Sequence, residues 1–227
     1  MPSAVRIRGQ VIIIRGQPRL QKAESRKRTA IKCRTSGFPL SAFGFPLFIV
    51  QHFLQNNSRS LHPMHLRFIT VGGTIDKIYF DQLSQYQVGV PGVARILEEL
   101  PLGFAYEIES IMRKDSLDMT DADRLLVRAA VERSPEDRIV ITHGTDTMIE
   151  TARQLRGISG KRIVLTGAMQ PANFRNSDAV FNVGLAIGVV LTQAEEGVWI
   201  AMSGQVFDPM TSRKNRDRGV FEAVGED

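Results

Sequence analysis

A threonine hydroxyl attacks a carbonyl only when a neighbouring group takes its proton and nearby donors hold the oxyanion that forms. Two stretches of this chain present a threonine in such a setting. The first is Phe68-Ile69-Thr70-Val71-Gly72-Gly73-Thr74-Ile75, and the second is Ile139-Val140-Ile141-Thr142-His143-Gly144-Thr145-Asp146-Thr147. Each is a β-branched apolar run that breaks at glycine and delivers a threonine. In α/β proteins such runs are buried parallel strands, and ligands collect beyond their C-terminal ends. Thr74 and Thr145 are therefore expected to face one pocket, one as attacker and the other in proton traffic with Asp146 beside it. Gly72-Gly73 leaves the approach to Thr74 open and lets backbone N–H groups point at an oxyanion. Asp146, at a helix start, is stabilised as the anion and suits a substrate ammonium or a lysine. The bland alternatives are a turn cap for Thr74 and an ordinary first-turn carboxylate for Asp146. His143 tempts as a general base, but a histidine in such a turn is more often a packed, hydrogen-bonded residue. With no second histidine or cysteine nearby, metal ligation is not expected.

The elements that must hold these residues follow from the apolar pattern. Strands are expected at 66–71, 106–111, 138–142, 162–166 and 197–202. Residues 76–90 read as a loop or loose hairpin. Val93, Ile96, Leu97 and Leu100 have helical spacing, stopped by Pro101. Thr120 with Asp123 three residues on forms a capping signature for a helix expected to bury Leu125, Leu126, Ala129 and Ala130. Further helices are expected at 147–155 and from a cap at Ser177 or Asp178 through Phe181, Leu185 and Val189. Strands alternating with helices argue for an α/β doubly wound, mostly parallel sheet. Residues 203–227 read as a polar tail, and its Arg213–Arg218 cluster is either an anion site or a solvated surface.

Charge divides the 227 residues in two. Residues 1–63 hold eleven basic side chains and one acid, Glu24, whereas residues 64–227 carry a net charge of −5. The overall +5 therefore comes from the first 63 residues and does not mark a nucleic-acid binder. Val11–Ile14 is too short to span a membrane, and the apolar run at 43–53 is broken by Gly44 and Pro46. Three readings of 1–63 stand: a spurious or disordered extension ahead of a natural start at Met64, an organellar presequence, or a basic arm. The sole cysteine, Cys33, excludes a disulfide framework within the chain.

The stretches Thr70–Ile75, Ile141–Ala152 and Val164-Leu165-Thr166-Gly167-Ala168-Met169-Gln170-Pro171 resemble, in order and spacing, the bacterial-type L-asparaginase/glutaminase family. The resemblance covers about residues 64–224. It implies a three-layer, Rossmann-like or flavodoxin-like domain and a threonine-based amidohydrolase that needs no cofactor or metal. Thr74 matches the family's nucleophile, and Tyr86 resembles the tyrosine of its mobile lid. Ser116 matches the serine that holds the substrate α-carboxylate. Thr145 and Asp146 match the second threonine and its acid, and Lys214 matches the lysine completing that group, with Arg213 the adjacent candidate. The resemblance further implies L-asparagine as the small-molecule substrate, no nucleic-acid or membrane partner, a homo-oligomer and a cytoplasmic location.

Two departures bear on substrate grip. The family's usual second domain, which helps bind the α-amino group from a neighbouring subunit, has no counterpart within these 227 residues. Leu117 stands where many members carry a glutamine that assists the carboxylate. The chain is thus expected to be a short, single-domain form acting on asparagine. A glutaminase or amidotransferase-related enzyme, and a weakly active amino-acid-binding protein, are the competing readings.

Overall fold

The computed structural model describes residues 13–16, 64–80 and 85–224. The chain divides into one unit of residues 1–18 and 64–227 and a second of residues 19–63, which lies outside the described residues. Most of the basic segment expected to precede the fold therefore goes undescribed. Its one described piece, β1 (Ile13–Gly16), pairs antiparallel with the sheet through Ile13↔Glu109 to Gly16↔Tyr106.

The strands that follow are β2 (His65–Gly72), β3 (Lys77–Phe80), β4 (Gln85–Val88), β5 (Ala105–Lys114), β6 (Arg138–Thr142), β7 (Arg162–Thr166), β8 (Gly197–Met202), β9 (Gln205–Phe207), β10 (Ser212–Asn215) and β11 (Val220–Ala223). The helices are α1 (Gly92–Glu99), α2 (Asp121–Arg133), α3 (Met148–Gln154) and α4 (Ala179–Thr192). The main sheet runs β1-β5-β2-β6-β7-β8-β9, parallel across its five inner strands and antiparallel at both edges.

Its inner strands read as unbroken apolar runs because both faces are covered. Leu66, Phe68, Ile108, Val140 and Val164 pack with α1 and α4, through Val93, Ile96, Leu97, Val183 and Ala186. Their strand neighbours Ile69, Val71, Ile139, Ile141, Ile163 and Leu165 pack on the other face with Val127, Ala130 and Val131 of α2 and Met148 and Ile149 of α3. This is the three-layer, doubly wound arrangement expected from the alternation. After β2 the chain crosses to β5 on one side; after β5 it returns past β2 to β6. The winding thus reverses between β2 and β6, and a crevice opens beyond their C-terminal ends. Thr74 and Thr145 follow these two strands.

Two local expectations change. In α2 the capping box forms as read, with Asp123 N donating to Thr120 Oγ1 at 3.3 Å and Thr120 N donating to Asp123 Oδ2 at 2.8 Å. The buried face, however, is Asp123, Arg124, Val127, Ala130 and Val131, while Leu125 and Leu126 are 57% and 58% exposed. Val127, Ala130 and Val131 form the apolar stripe that meets the sheet, which leaves Leu125, Leu126 and Ala129 on the outer face, while Lys114 pairs with Asp123 at 2.7 Å and Arg124 with Asp121 at 3.0 Å. The polar tail is a folded element: β10 and β11 form a hairpin, and Phe221 packs against Phe207 with ring centroids 6.1 Å apart. Arg153 of α3 donates to the carbonyls of Pro209 and Ser212, which pins the hairpin to the body.

Candidate active site

Four strand-end turns meet at the crevice because their glycines lack side chains. Gly72 and Gly73 have φ of 108° and 91°, a region that glycine enters at little cost. A Cβ on Gly73 would lie 2.3 Å from Gly144 Cα, and one on Gly144 would lie 2.6 Å from Ser116 Oγ. A Cβ on Gly167 would lie 2.4 Å from the His143 carbonyl oxygen. The turns after β2, β5, β6 and β7 are thus in backbone contact, and Thr74 and Thr145 each follow a glycine of the central pair. Gly73 N donates to Lys114 O at 2.9 Å, so this N–H is committed to the turn and is withdrawn from the set expected to face an oxyanion.

Lys214 joins the second threonine group from 68 residues away. Its Nζ donates to Thr145 Oγ1 and to Asp146 Oδ1, both at 2.7 Å. Strand alternation places it there. Lys214 sits opposite Phe221 in the β10–β11 hairpin, and Phe221 is buried, so Lys214 shares the inward face. Arg213 points the other way and pairs with Glu222 at 2.9 Å. Lys214, not Arg213, is therefore the residue in contact with Thr145 and Asp146. Ser116 is buried at the same spot: its Oγ accepts from Asp146 N at 3.3 Å, and its carbonyl accepts from Thr147 Oγ1 at 2.7 Å. Thr145 Oγ1 also lies 3.8 Å from Met169 Sδ, in the turn after β7.

Thr74 is half-buried and opens a short 3₁₀ turn, Thr74–Asp76. Tyr86 lies in β4, paired with Tyr79 in the β3–β4 hairpin; the side chains of 79, 80 and 85–87 lie outside the described residues. His143 is a packed residue. Its Nδ1 lies 2.7 Å from Gly144 O and its Nε2 lies 2.8 Å from Thr151 Oγ1. Burial holds its imidazole down at about 4, so it is neutral near pH 7 and spends both nitrogens on structure.

Three residues without a motif prove to hold the site. Asp178 accepts from Met169 N and Gln170 N, at 3.0 and 3.1 Å, instead of capping α4 through its side chain. Asn182 is fully buried and links Gly167 O to Ser203 N across the turns after β7 and β8. Asp76, two residues beyond Thr74, accepts from Gly92 N at 2.7 Å, joining the Thr74 turn to the start of α1. Of the three, Asn182 alone carries a signal, a polar residue inside an apolar stretch, and that signal does not reveal its partner. Among the described residues, no group of three or more His, Cys, Asp or Glu could hold a metal ion, and no helix is long and apolar enough to cross a membrane. One cavity of about 470 Å³, lined by Arg156, Glu195, Trp199 and Asp208, opens at the opposite, N-terminal edge of β7 and β8 and contains none of the candidate residues.

Fold and site together define a doubly wound α/β domain with paired threonines at its switch point. The chain belongs to the asparaginase N-terminal family, whose model matches residues 65–224. It is 27% identical over 210 residues to L-asparaginase 2 of Escherichia coli (strain K12), covering 87% of this chain and 55% of that protein. It is 32% identical over 152 residues to the probable periplasmic L-asparaginase of Haemophilus influenzae, covering 63% and 44%. The structure of the thermostable L-asparaginase from Thermococcus kodakarensis superposes with a TM-score of 0.62 at 26% identity, over 70% of this chain and 51% of that one. The chain spans about half the length of the relatives it matches.

Proposed function

We propose that the chain is an amidohydrolase acting on L-asparagine, releasing L-aspartate and ammonia. The observation that carries this reading is the triad Thr145–Lys214–Asp146, seated one backbone contact away from Thr74. In it, Thr74 Oγ1 attacks the side-chain amide carbon, the C–N bond breaks, and ammonia leaves with the proton that Thr74 surrenders. Water then cleaves the acyl ester and regenerates the hydroxyl. Lys214, oriented by Asp146, sets the hydrogen bonding of Thr145 and gives the site a proton path. Ser116 lies beside Asp146, where a substrate's α-carboxylate and α-amino groups would each meet a partner of suitable chemistry. The hairpin of β3 and β4 follows the Thr74 turn directly in the chain, and in this reading it serves as the lid that excludes water during the acyl step.

The test is ammonia release from L-asparagine by the full chain and by Thr74→Ala. The substitution is expected to cost about a thousandfold or more in kcat, since it removes the attacking atom. A Thr74→Ala protein that works at the wild-type rate overturns the assignment. Running L-glutamine in parallel decides which amide is preferred.

A further inference from the structure

Charge around Asp146 does not balance. Lys214 Nζ lies 2.7 Å from Asp146 Oδ1, and Arg216 Nε lies 3.8 Å from the same oxygen. Two cations thus share one carboxylate. Their roles differ. The Lys214 side chain is 12% exposed and spends donors on both Thr145 and Asp146. The Arg216 side chain is 65% exposed, and among the described residues Asp146 is its one ionic partner. Arg216 follows directly on β10, on the solvent side of Asp146 relative to the buried Lys214.

The neighbouring surface lacks a polar anchor. Ser116 Oγ accepts from Asp146 N and keeps its own hydrogen for an acceptor, but the next residue, Leu117, is aliphatic and 63% exposed. A carboxylate arriving at Ser116 thus finds one neutral hydroxyl, and a cation must come from elsewhere. We propose that Arg216 is a substrate-binding residue that grips the α-carboxylate of the amide substrate together with Ser116. A guanidinium suits this task, since its planar fork binds carboxylates through paired, charge-assisted N–H···O bonds. Its exposure keeps the fork free until substrate arrives. The inference rests on reading the crevice as an amide-hydrolysing site, and it supplies the anion grip that Leu117 does not.

The experiment compares the full chain with Arg216→Gln, Arg216→Lys and, as a surface control, Arg218→Gln. Arg218 is 72% exposed and 3.9 Å from Glu222, away from Asp146. Three amides are assayed for ammonia release: L-asparagine, succinamic acid, which keeps the carboxylate but lacks the amine, and β-alaninamide, which keeps the amine but lacks the carboxylate. Arg216→Gln is expected to raise KM for the first two by about tenfold or more, with kcat little changed. KM for β-alaninamide is expected to stay put, Arg216→Lys to recover part of the loss, and Arg218→Gln to match the wild type. An equal loss on all three amides, or none on L-asparagine, overturns the inference. Calorimetric titration of L-asparagine into Thr74→Ala, with and without Arg216→Gln, separates this inference from the activity reading. If the wild type hydrolyses no amide but Arg216→Gln still weakens binding, the activity falls and the Arg216 assignment stands. If Arg216→Gln leaves binding unchanged, or L-asparagine does not bind, the Arg216 assignment falls.

Discussion

A lysine and an arginine side by side in a basic run are indistinguishable by composition, yet only one of them reaches Asp146. Alternation along β10 sends Lys214 inward with Phe221 and Arg213 outward to Glu222. This leads to a discriminating prediction. Lys214→Met is expected to lower kcat on L-asparagine by about a hundredfold or more, the usual cost of losing a group that handles protons. Arg213→Gln removes an exposed ion pair and is expected to stay within about twofold of the wild type. Steady-state ammonia release checks both; a larger loss from Arg213→Gln reverses the assignment. The threonines and Asp146 are legible because they sit inside short motifs at strand ends, whereas Ser116 is a candidate only through the family resemblance. Lys214 was legible only as one of two adjacent residues, since the choice depends on which face of a later hairpin is buried.

At the scale of elements, the Thr74 turn is fastened to three neighbours. Asp76 Oδ1 takes the Gly92 N–H at the start of α1, Asp76 O takes the Gly89 N–H at the open end of the β3–β4 hairpin, and Ala172 N donates to Ile75 O. At the same end of that hairpin, Lys77 pairs with Asp115 at 2.7 Å. Burial pushes the Asp76 carboxyl up to about 7, against the opposing pull of the Gly92 N–H and the charge of Arg113. The folded state therefore holds the Asp76 proton more tightly than the unfolded chain does. Its contribution to stability is complete below the ordinary value of 3.8 and is lost as pH rises through about 7. His143 acts in the opposite sense: its folded value of about 4 lies below the ordinary 6.5, so stability gained from it rises with pH across that window. Asp76→Asn keeps an acceptor for Gly92 and removes only the first of these. Melting temperatures of wild type and Asp76→Asn between pH 4 and pH 8 are expected to diverge, with the wild type losing ground as pH rises. Parallel curves remove Asp76 from the account. The helices repeat the lesson of Lys214. The start of α2 is legible from Thr120 and Asp123, but its buried face is not, because the helix carries two apolar sets and only the sheet decides that Val127, Ala130 and Val131 are buried while Leu125 and Leu126 are exposed.

For the molecule as a whole, every described site residue falls between Gly72 and Arg216, within the parallel sheet and its last hairpin. Residues 1–63 supply one described strand, β1, which covers the outer edge of β5. Removing residues 1–63 is expected to leave turnover of L-asparagine in place and to uncover that edge, a template for strand pairing between copies. Ammonia release and light scattering of the full chain and of residues 64–227 measure the two effects. Loss of turnover without any rise in self-association shows that the first 63 residues act on the site itself.

What the amino-acid order determined by itself is whatever depends on neighbours a few residues away. That includes the buried strands, with their continuous β-branched runs, the glycine-threonine strand ends, and the Thr120 cap. It also includes the alternation of elements that makes the sheet parallel and doubly wound. What tertiary structure decided is whatever depends on distant segments meeting. The reversal of winding between β2 and β6 brings Gly73 against Gly144 and thereby sets Thr74 beside Thr145. The β10–β11 hairpin, read from sequence as a polar tail, delivers Lys214 and Arg216 to Asp146 across roughly seventy residues of chain. Its short strands carry too few apolar residues to announce themselves. Their folding depends on Phe221 finding Phe207 and on Arg153 reaching the carbonyls of Pro209 and Ser212, contacts that no local pattern encodes.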